Sequence, residues 1–238
     1  MATPLLKIIT QYCDIYVDDD RLKETKSTNF PLWALKMSSY LLAALPLLTL
    51  PPELLEYLVG EDDTKLTSPQ FASFQDELAA ATSGEYVIAS AHTGYEYCSA
   101  RIVGVDVYGD VIYTPLTCAY QAESGTVVVD LPTEYPAGTV IEIDLYKDGQ
   151  FSENLSAELC GILGKAFQVV WETRFINDWL SNVPKIDDKS FSEQNRANKE
   201  NADTERFAEL KSVLDHALRR LDENNAYRKT VLGRQTGY

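Results

Sequence analysis

Residues 139–146 read Thr-Val-Ile-Glu-Ile-Asp-Leu-Tyr, and this alternation of apolar and acidic side chains decides the fold prediction. Successive side chains point to opposite faces of an extended strand. One face of this strand carries only aliphatic residues, namely Ile141, Ile143 and Leu145. The opposite face carries Glu142 and Asp144, so the pattern predicts a strand with one buried face and one solvated face.

Four other short runs precede this strand and share its β-branched and aromatic composition, which favours strands. They are residues 86–89, 101–107, 111–114 and 126–131. The sequence Tyr108-Gly109-Asp110 predicts a hairpin turn between the second and third runs. Another turn is predicted from Glu134 to Gly138. Five or six strands joined by short turns are typical of a small antiparallel barrel or sandwich.

The N-terminal part of the chain has apolar residues at helical spacing. A first helix is predicted over residues 3–17. A second helix is predicted to begin at Pro31, directly after Asn29 and Phe30, and to end or kink at Pro46.

The stretch between these helices and the strand-rich block is predicted to contain two short helices and a linker. The first helix runs from the pair Pro51-Pro52 to Gly60. Residues 61–69 form the linker. The spacing of Phe71, Phe74 and Leu78 predicts a further helix over residues 70–81.

A long helix is predicted after the strand-rich block, from an N-cap at Ser152 to a stop at Pro184. Its apolar residues run from Leu155 to Leu180, and large aromatic residues such as Trp171 and Trp179 widen the apolar surface beyond a single face. We expect such a helix to be buried on several sides or to lie between subunits.

The last part of the chain is polar. Residues 185–206 are predicted to be a loop, a frayed helix or an arm that becomes ordered on assembly. Apolar residues spaced three and four apart then predict a final helix from Phe207 to Leu221.

Together these patterns predict an α+β protein: a helical body with an inserted antiparallel β-barrel or sandwich domain. The N-terminal helical part is predicted at residues 1–84 and the inserted β-domain at residues 85–149. The long helix at residues 150–184 completes the helical body, and residues 185–238 form the polar arm and C-terminal helix.

The net charge of −15 is unevenly distributed. Between Glu85 and Gln150 only Arg101 and Lys147 are basic, against ten acidic residues, whereas residues 185–238 hold 11 basic and 10 acidic residues. This composition argues against extended contact with nucleic-acid phosphates and against an anionic membrane surface. The acidic surface fits a solubilising role, a face that does not hold DNA, or a face that binds a basic partner.

The cysteines and apolar runs exclude further classes. The four cysteines form no Cys-X-X-Cys pair, and their apolar surroundings predict buried free thiols in a reducing compartment: Cys13, Cys98, Cys118 and Cys160. The apolar run from Met37 to Leu50 is interrupted by a proline and is shorter than the roughly 20 residues that span a bilayer. The N-terminal residues do not have the pattern of a signal peptide.

Residues that commonly carry catalysis are scarce. His92 follows a predicted strand and His216 lies in the final helix, so no metal site is predicted from them. The patterns GxSxG and GxxxxGK[ST] are absent, and Cys160 is predicted to be a buried helix cysteine rather than a nucleophile. We therefore predict no catalytic, cofactor-binding or metal-binding residue and no cofactor, and expect that the protein is not an enzyme.

Two sets of side chains leave an alternative open. Glu142 with Asp144, or Asp106 with Asp130, has the chemistry of a glycosidase carboxylate pair, although acids on strand faces are commonly only solvated. The strand-rich block also has a surplus of tyrosines, which either bind sugars or fill the β-core and subunit contacts. These are Tyr86, Tyr95, Tyr97, Tyr108, Tyr113 and Tyr120.

Residues 30–58 carry a resemblance to a known family. They read Phe-Pro-Leu-Trp-Ala-Leu-Lys-Met-Ser-Ser-Tyr-Leu-Leu-Ala-Ala-Leu-Pro-Leu-Leu-Thr-Leu-Pro-Pro-Glu-Leu-Leu-Glu-Tyr-Leu. This stretch resembles a segment of the neck ring proteins of crAss-like tailed bacteriophages. The order of the strand-rich block, the long helix and the closing polar helix is similar as well.

The resemblance implies a structural virion protein that forms a ring, usually of twelve copies, in the phage neck. Such a ring joins portal and tail and surrounds the channel through which DNA passes without specific binding. Its implied partners are copies of itself, the portal protein and adjacent tail or neck ring proteins, with no membrane. The implied location is the virion, after synthesis in the host bacterial cytoplasm. The alternatives are a carbohydrate-binding or adhesion β-module on a helical stalk and an oligomeric cytoplasmic scaffold.

Overall fold

A computed structural model describes residues 2–51, 53–60, 64–182 and 192–235, with side chains in the last two helices described up to residue 174 and from 201 to 225. The helices are α1 (Leu5–Ile8), α2 (Asp20–Thr28), α3 (Phe30–Ala43), α4 (Leu54–Val59), α5 (Ala157–Asn182) and α6 (Ser192–Gln235). The strands are β1 (Thr3–Pro4), β2 (Leu66–Thr67), β3 (Gln70–Glu77), β4 (Thr82–Ala89), β5 (Tyr97–Val105), β6 (Val111–Gln121), β7 (Thr126–Tyr135), β8 (Val140–Lys147) and β9 (Gln150–Phe151). A π-helical turn (Ile9–Cys13) and a 3-10 turn (Asp14–Tyr16) continue α1.

Six strands form one antiparallel sheet in the order β3-β8-β5-β6-β7-β4. The two edge strands, β3 and β4, are consecutive in the chain and are joined by only four residues, 78–81. Four residues reach at most about 14 Å, so the two edges must lie near each other at that end. Tyr86 Oη on β4 also donates a hydrogen bond to Asp76 Oδ2 on β3 at 2.8 Å. The sheet is therefore curled into a half-barrel: the predicted α+β class is present, but of the predicted barrel or sandwich no closed barrel forms.

Strand β6 joins the two halves of this sheet. Its residues 111–116 pair with β5, and its residues 117–121 pair with β7. The strand thus leaves one neighbour for the other part-way along its length, as strands do at the corners of curled sheets. The concave side encloses an aliphatic core made of Leu78, Ile88, Ala100, Ile102, Val127, Val129, Leu131, Ile141, Ile143 and Leu145.

The predicted helix over residues 70–81 is wrong. Residues 70–77 form β3, which pairs with β8 in continuous register from Gln70 opposite Lys147 to Glu77 opposite Val140. Phe71 and Phe74 fit a helical spacing, but Ala72 and Phe74 also fit a period of two and pack against the half-barrel core. The stretch forms a strand rather than a helix because its backbone pairs with the open edge of β8. The sheet accordingly begins at Gln70 rather than at residue 85.

The helical core is built mainly from α1, α3 and α5, and the buried face of α3 carries Trp33, Met37 and Leu41 instead of the predicted stripe Leu32, Leu35, Ser39 and Leu42. Its largest fully buried side chains include Leu5, Ile8, Trp33, Met37, Leu41, Phe151, Phe167 and Trp171. Helix α5 packs on α3, α6 and the π-helical turn, while α3 also packs on β5 and β8 of the half-barrel. The half-barrel is thus seated on α3.

A small second sheet ties the two chain connections of the half-barrel together. Its order is β1-β9-β2, and both pairs are antiparallel. Strand β2 leads into the half-barrel and β9 leads out of it. Ser152 N donates to Lys65 O at 2.8 Å, which joins the two connections, and Leu5 N donates to Gly149 O at 2.9 Å, which fixes the N-terminal residues against the outgoing connection.

Most of the predicted helices are present, with changed bounds. Helices α1, α3 and α4 match the three predicted N-terminal helices; Asn29 caps α3, and α4 ends at Gly60. The predicted N-cap at Ser152 is wrong, because β9 ends at Phe151, residues 152–156 are not helical, and α5 begins at Ala157, where Ser156 Oγ accepts from Leu159 N. The predicted stop at Pro184 lies outside the described residues. Of the polar stretch 185–206, residues 192–206 belong to α6.

The predicted solvated face of residues 139–146 is also wrong. Asp144 is 3 % exposed and Tyr146 is fully buried, because α3 covers that face of β8. Asn29 Nδ2 donates to Asp144 Oδ2, and Arg101 Nη2 lies 3.5 Å from the same oxygen. Ser99 Oγ donates to Asn29 Oδ1 at 2.8 Å. The buried carboxylate is thereby paired, as a charge in a protein interior must be.

We expect Asn29→Ala to lower the free energy of unfolding by about 3 kcal/mol, because it removes both a helix cap and a hydrogen bond to a buried charge. Asp19 caps α2 by accepting from Arg21 N and Leu22 N, and it has no contact with Asp144, so Asp19→Ala is the matched control. That variant should cost about 1 kcal/mol. Urea unfolding measures both values; equal losses would contradict a special role for the Asn29–Asp144 contact.

Gly164 allows α5 to lie close to the π-helical turn. A Cβ atom at this position would be 2.7 Å from the carbonyl oxygen of Tyr12, whereas a Cβ atom at Gly161, one turn earlier, would meet nothing within 4 Å. Only the later of the two glycines is therefore required by packing.

We expect Gly164→Ala to lower the free energy of unfolding by about 1–3 kcal/mol through overpacking. Gly161→Ala should raise it by about 0.5–1 kcal/mol, because alanine has the higher helix propensity. Urea unfolding of the two variants provides the comparison. Stabilisation by both substitutions would show that α5 does not lie against Tyr12.

Candidate functional site

The carboxylates considered for catalysis belong to an ion-pair network instead of an open cleft. Arg101 Nη2 lies 3.0 Å from Glu142 Oε1, and Arg101 Nε donates to Glu142 Oε2 at 3.1 Å. The guanidinium also lies over the ring of Tyr113, 4.5 Å from its centroid. Arg101 therefore pairs with both Glu142 and Asp144, and the two carboxylates are engaged in contacts that hold β5, β8 and α3 together.

The second carboxylate pair is not brought together. Asp106 closes the β5–β6 turn, where its Oδ1 accepts from Tyr108 N at 2.8 Å and from Asp110 N at 2.9 Å. Asp130 is exposed on β7, in register with Glu85 and Thr117. The two acids thus have separate surroundings.

The two histidines also lie in different parts of the protein. His92 is half-buried beside the half-barrel core, where its ring is 5.7 Å from that of Phe74 and 6.0 Å from that of Tyr95. His216 is exposed on α6. Among the residues that the structure describes, no group of three or more His, Cys, Asp or Glu side chains is arranged to hold a metal ion.

The tyrosines divide into three groups. Tyr86, Tyr95 and Tyr120 pack against the half-barrel core, and Tyr120 Oη donates to His92 O at 2.7 Å. Tyr97 lies between the half-barrel and the helices, with its ring 5.1 Å from that of Phe30. Tyr108 and Tyr113 are exposed on the β5–β6 hairpin. Core packing thus explains part of the aromatic surplus, and a surface on the hairpin contains the rest.

One described helical stretch, Phe30–Leu47, is long and apolar enough by composition to cross a membrane. Its regular part, α3, has 14 residues and so measures about 21 Å, short of a hydrocarbon layer of about 30 Å. Trp33, Met37 and Leu41 are buried in the helical core. Core packing therefore accounts for the composition of this helix.

Asp148 carries the largest carboxylate pKa shift in the described residues. Burial raises its pKa from 3.8 to about 6, and the charge of Glu96 adds to this rise. Hydrogen bonds oppose the rise: Leu6 N donates to Asp148 Oδ2 at 3.1 Å, and Tyr146 Oη donates to Oδ1 at 3.2 Å. The group lies where the chain leaves the half-barrel, so its ionisation affects the junction between the sheet and the helices.

The folded protein binds the Asp148 proton more tightly than the unfolded chain, so this group stabilises the fold fully below about pH 4 and loses that effect as the pH rises through about 6. We expect Asp148→Asn, which has no charge to lose, to gain stability relative to the natural chain between pH 4 and pH 7. Urea unfolding across this range gives the difference. A difference that does not change with pH would show that Asp148 does not titrate in this way.

The tip of the β5–β6 hairpin is the most exposed apolar surface of the described chain. Val107 is 93 % exposed and Tyr108 is 87 % exposed. Further apolar residues exposed on the same hairpin are Val105, Val111, Ile112 and Tyr113. The predicted turn is present, and Gly109 has a φ of 91°, which favours glycine at that position. We call residues 105–113 the hairpin tip.

A groove of about 570 Å³ lies between α5 and α6. Lys165, His216 and Arg220 supply its basic groups, and Glu158 is its acidic residue. Its apolar wall includes Val213, which is 46 % exposed, together with Ile162 and Ala217. We call this the α5–α6 groove. It combines apolar surface with mostly basic charge, the opposite of the charge on the hairpin tip, where Asp106 and Asp110 flank the apolar residues.

No protein-family profile matches this chain, and a search of curated proteins gives no match either.

Sequence reasoning missed the residues that organise these surfaces. Asn29 was identified only as the residue before a helix, and nothing local shows that it also binds Asp144, 115 positions away. The α5–α6 groove combines Lys165 with residues of α6 that are about 50 positions later. The hairpin tip is the exception, because Val107-Tyr108-Gly109 shows apolar residues at a turn, where solvent exposure is expected.

Proposed function

We propose that this chain is a structural subunit of a ring in the neck of a tailed bacteriophage, where the ring joins portal and tail and surrounds the DNA channel. The observation that carries the proposal is the hairpin tip. Its apolar side chains project from the sheet, and no described part of the same chain covers Val107 or Tyr108. Exposed apolar surface of this kind is typical of a protein–protein contact.

The proposed partner of the hairpin tip is a second copy of the chain, bound through its α5–α6 groove. The tip offers two acidic residues, Asp106 and Asp110, around an apolar centre, and the groove offers Lys165, His216 and Arg220 around an apolar wall. Complementary charge of this kind orients two partners. Because tip and groove are different surfaces, the contact is heterologous, and repeated contacts of that type form closed rings when the rotation between subunits closes.

The surface charge of the half-barrel supports a place beside passing DNA. Seven acids on it are exposed: Glu77, Glu85, Glu96, Asp110, Glu123, Asp130 and Glu134. Glu85 and Asp130 are register partners on β4 and β7, an arrangement of like charges that costs stability. Of the two basic residues between Gln70 and Gln150, Arg101 is held by Glu142 and Asp144. Such a surface repels the phosphate backbone and lets DNA slide.

The remaining features of the proposal follow the sequence resemblance. The ring has twelve copies, contacts the portal on one side and an adjacent tail or neck ring protein on the other, and binds no membrane. The protein is made in the host bacterial cytoplasm and ends in the virion. It has no catalytic role.

Light scattering on the purified chain, alone and with a candidate portal ring, tests the proposal. We expect a closed oligomer or a complex of fixed stoichiometry that forms only with the portal. In the double variant Val107→Ser/Tyr108→Ser, association should weaken about 100-fold, because two large apolar side chains no longer become buried. Val87 is 61 % exposed on β4, so Val87→Ser is the matched control and should leave assembly unchanged. A natural chain that stays monomeric with and without the portal would contradict the proposal.

Charge reversal tests the pairing of tip and groove. Arg220→Glu should weaken assembly, and adding Asp110→Arg to the same chain should restore it, because the charges are exchanged across the contact. If the second substitution does not restore assembly, the hairpin tip and the α5–α6 groove do not contact each other. Tyr108 and Tyr113 are also the residues that a carbohydrate-binding module would use; a monomer that binds glycans and loses binding in Tyr108→Ser would favour that alternative.

A further inference from the structure

Cys98 and Cys118 lie at the point where the half-barrel divides. The last β5–β6 register pair is Ala100 opposite Leu116, and from Thr117 onward β6 pairs with β7. The two cysteines lie two residues beyond that last pair, one on each strand. Their Sγ atoms are 3.2 Å apart, and both thiols are reduced and half-buried.

The other two cysteines have a different environment. Cys13 is fully buried and Cys160 is 4 % exposed, in the helical core. Burial raises the pKa of both thiols, which keeps them protonated and unreactive. The sequence prediction of buried free thiols therefore holds for this pair but not for Cys98 and Cys118, which are partly accessible to solvent.

The two sulfur atoms of the half-barrel pair are unequal. The two Sγ atoms lie within hydrogen-bond distance, and either thiol can donate. With Cys118 as the donor, the hydrogen bond lowers the pKa of Cys98, whereas the same hydrogen bond and burial raise the pKa of Cys118. Only the thiolate attacks a disulfide, so this difference in pKa gives Cys98 the part of the attacking residue and Cys118 that of the resolving residue.

We propose that Cys98 and Cys118 form a thiol–disulfide exchange site that reacts with a small disulfide such as glutathione disulfide and closes into an intrachain disulfide. The Cys98 thiolate attacks one sulfur of glutathione disulfide, which forms a mixed disulfide and releases one glutathione thiolate. Cys118 then loses its proton, and its thiolate attacks Cys98 Sγ and releases the second glutathione. The protein loses two protons and two electrons, and the glutathione disulfide is reduced to two thiols.

The bond would join β5 to β6 just beyond the last pair of their ladder. The sulfur atoms need to approach by about 1.2 Å to reach a disulfide bond length of about 2.05 Å. Because the bond closes the chain segment that holds the hairpin tip, it restricts the unfolded state and should raise the thermal midpoint by about 5 °C. This inference does not depend on the proposed ring function.

The test exposes the natural chain to glutathione disulfide at mildly alkaline pH, then blocks free thiols after denaturation and maps the peptides by mass spectrometry. We expect the Cys98 and Cys118 peptides to be linked, and Cys13 and Cys160 to be blocked as free thiols. Four free thiols after this treatment, or a link that involves Cys13 or Cys160, would overturn the proposal.

Single variants test the order of attack. Cys118→Ser should accumulate a glutathione adduct on Cys98, because no resolving thiol is present. Cys98→Ser should accumulate less adduct on Cys118, because burial still raises the pKa of that thiol when the Cys98 sulfur is absent. Cys13→Ser is the control and should still form the Cys98–Cys118 link. Equal adducts on the two single variants would overturn the assigned roles.

Discussion

The paired charge of Asp144 is the interaction on which the arrangement of this protein depends. Its strand has an aliphatic face in the half-barrel core and a polar face under α3, so the half-barrel cannot rest on the helices unless this carboxylate leaves water. Asn29 and Arg101 make that possible, because both contact the same oxygen of the carboxylate. Because Asn29 also starts α3, one side chain sets both where the helix begins and where it contacts the sheet. A helix displaced by one turn would leave a buried charge without its amide donor.

Local sequence patterns predicted much of the fold. The β-branched runs at residues 101–107, 126–131 and 139–146, together with the proline and glycine positions around the N-terminal helices, correspond to strands and helices in the structure. The errors have a common cause. The helix predicted at residues 70–81 and the solvated face of residues 139–146 were both decided by neighbours distant in the chain: the free edge of β8 in one case and the cover of α3 in the other.

The candidate surfaces show the same limit. Val107 and Tyr108 stand beside a glycine turn, so their exposure follows from adjacent residues alone. The pairing of Cys98 with Cys118 depends on the register of β5 and β6, which the composition of the 19 intervening residues does not specify. The groove depends on the angle at which α5 packs on α6. Because α6 is largely polar, its narrow apolar stripe does not allow that angle to be predicted from the sequence. The sequence thus showed which chemical groups the surfaces contain, but not which distant residues lie close to each other.

The three-stranded sheet of β1, β9 and β2 has a consequence for how related chains can diverge. The connections into and out of the half-barrel run side by side. Residues 68–149 therefore start and finish at neighbouring positions, as an insertion into the helical part of the chain would. Exchange of that stretch for another with the same end spacing would leave the helical core connected. Related chains are therefore expected to differ most in the size and decoration of this stretch, and to keep the two short strands that flank it.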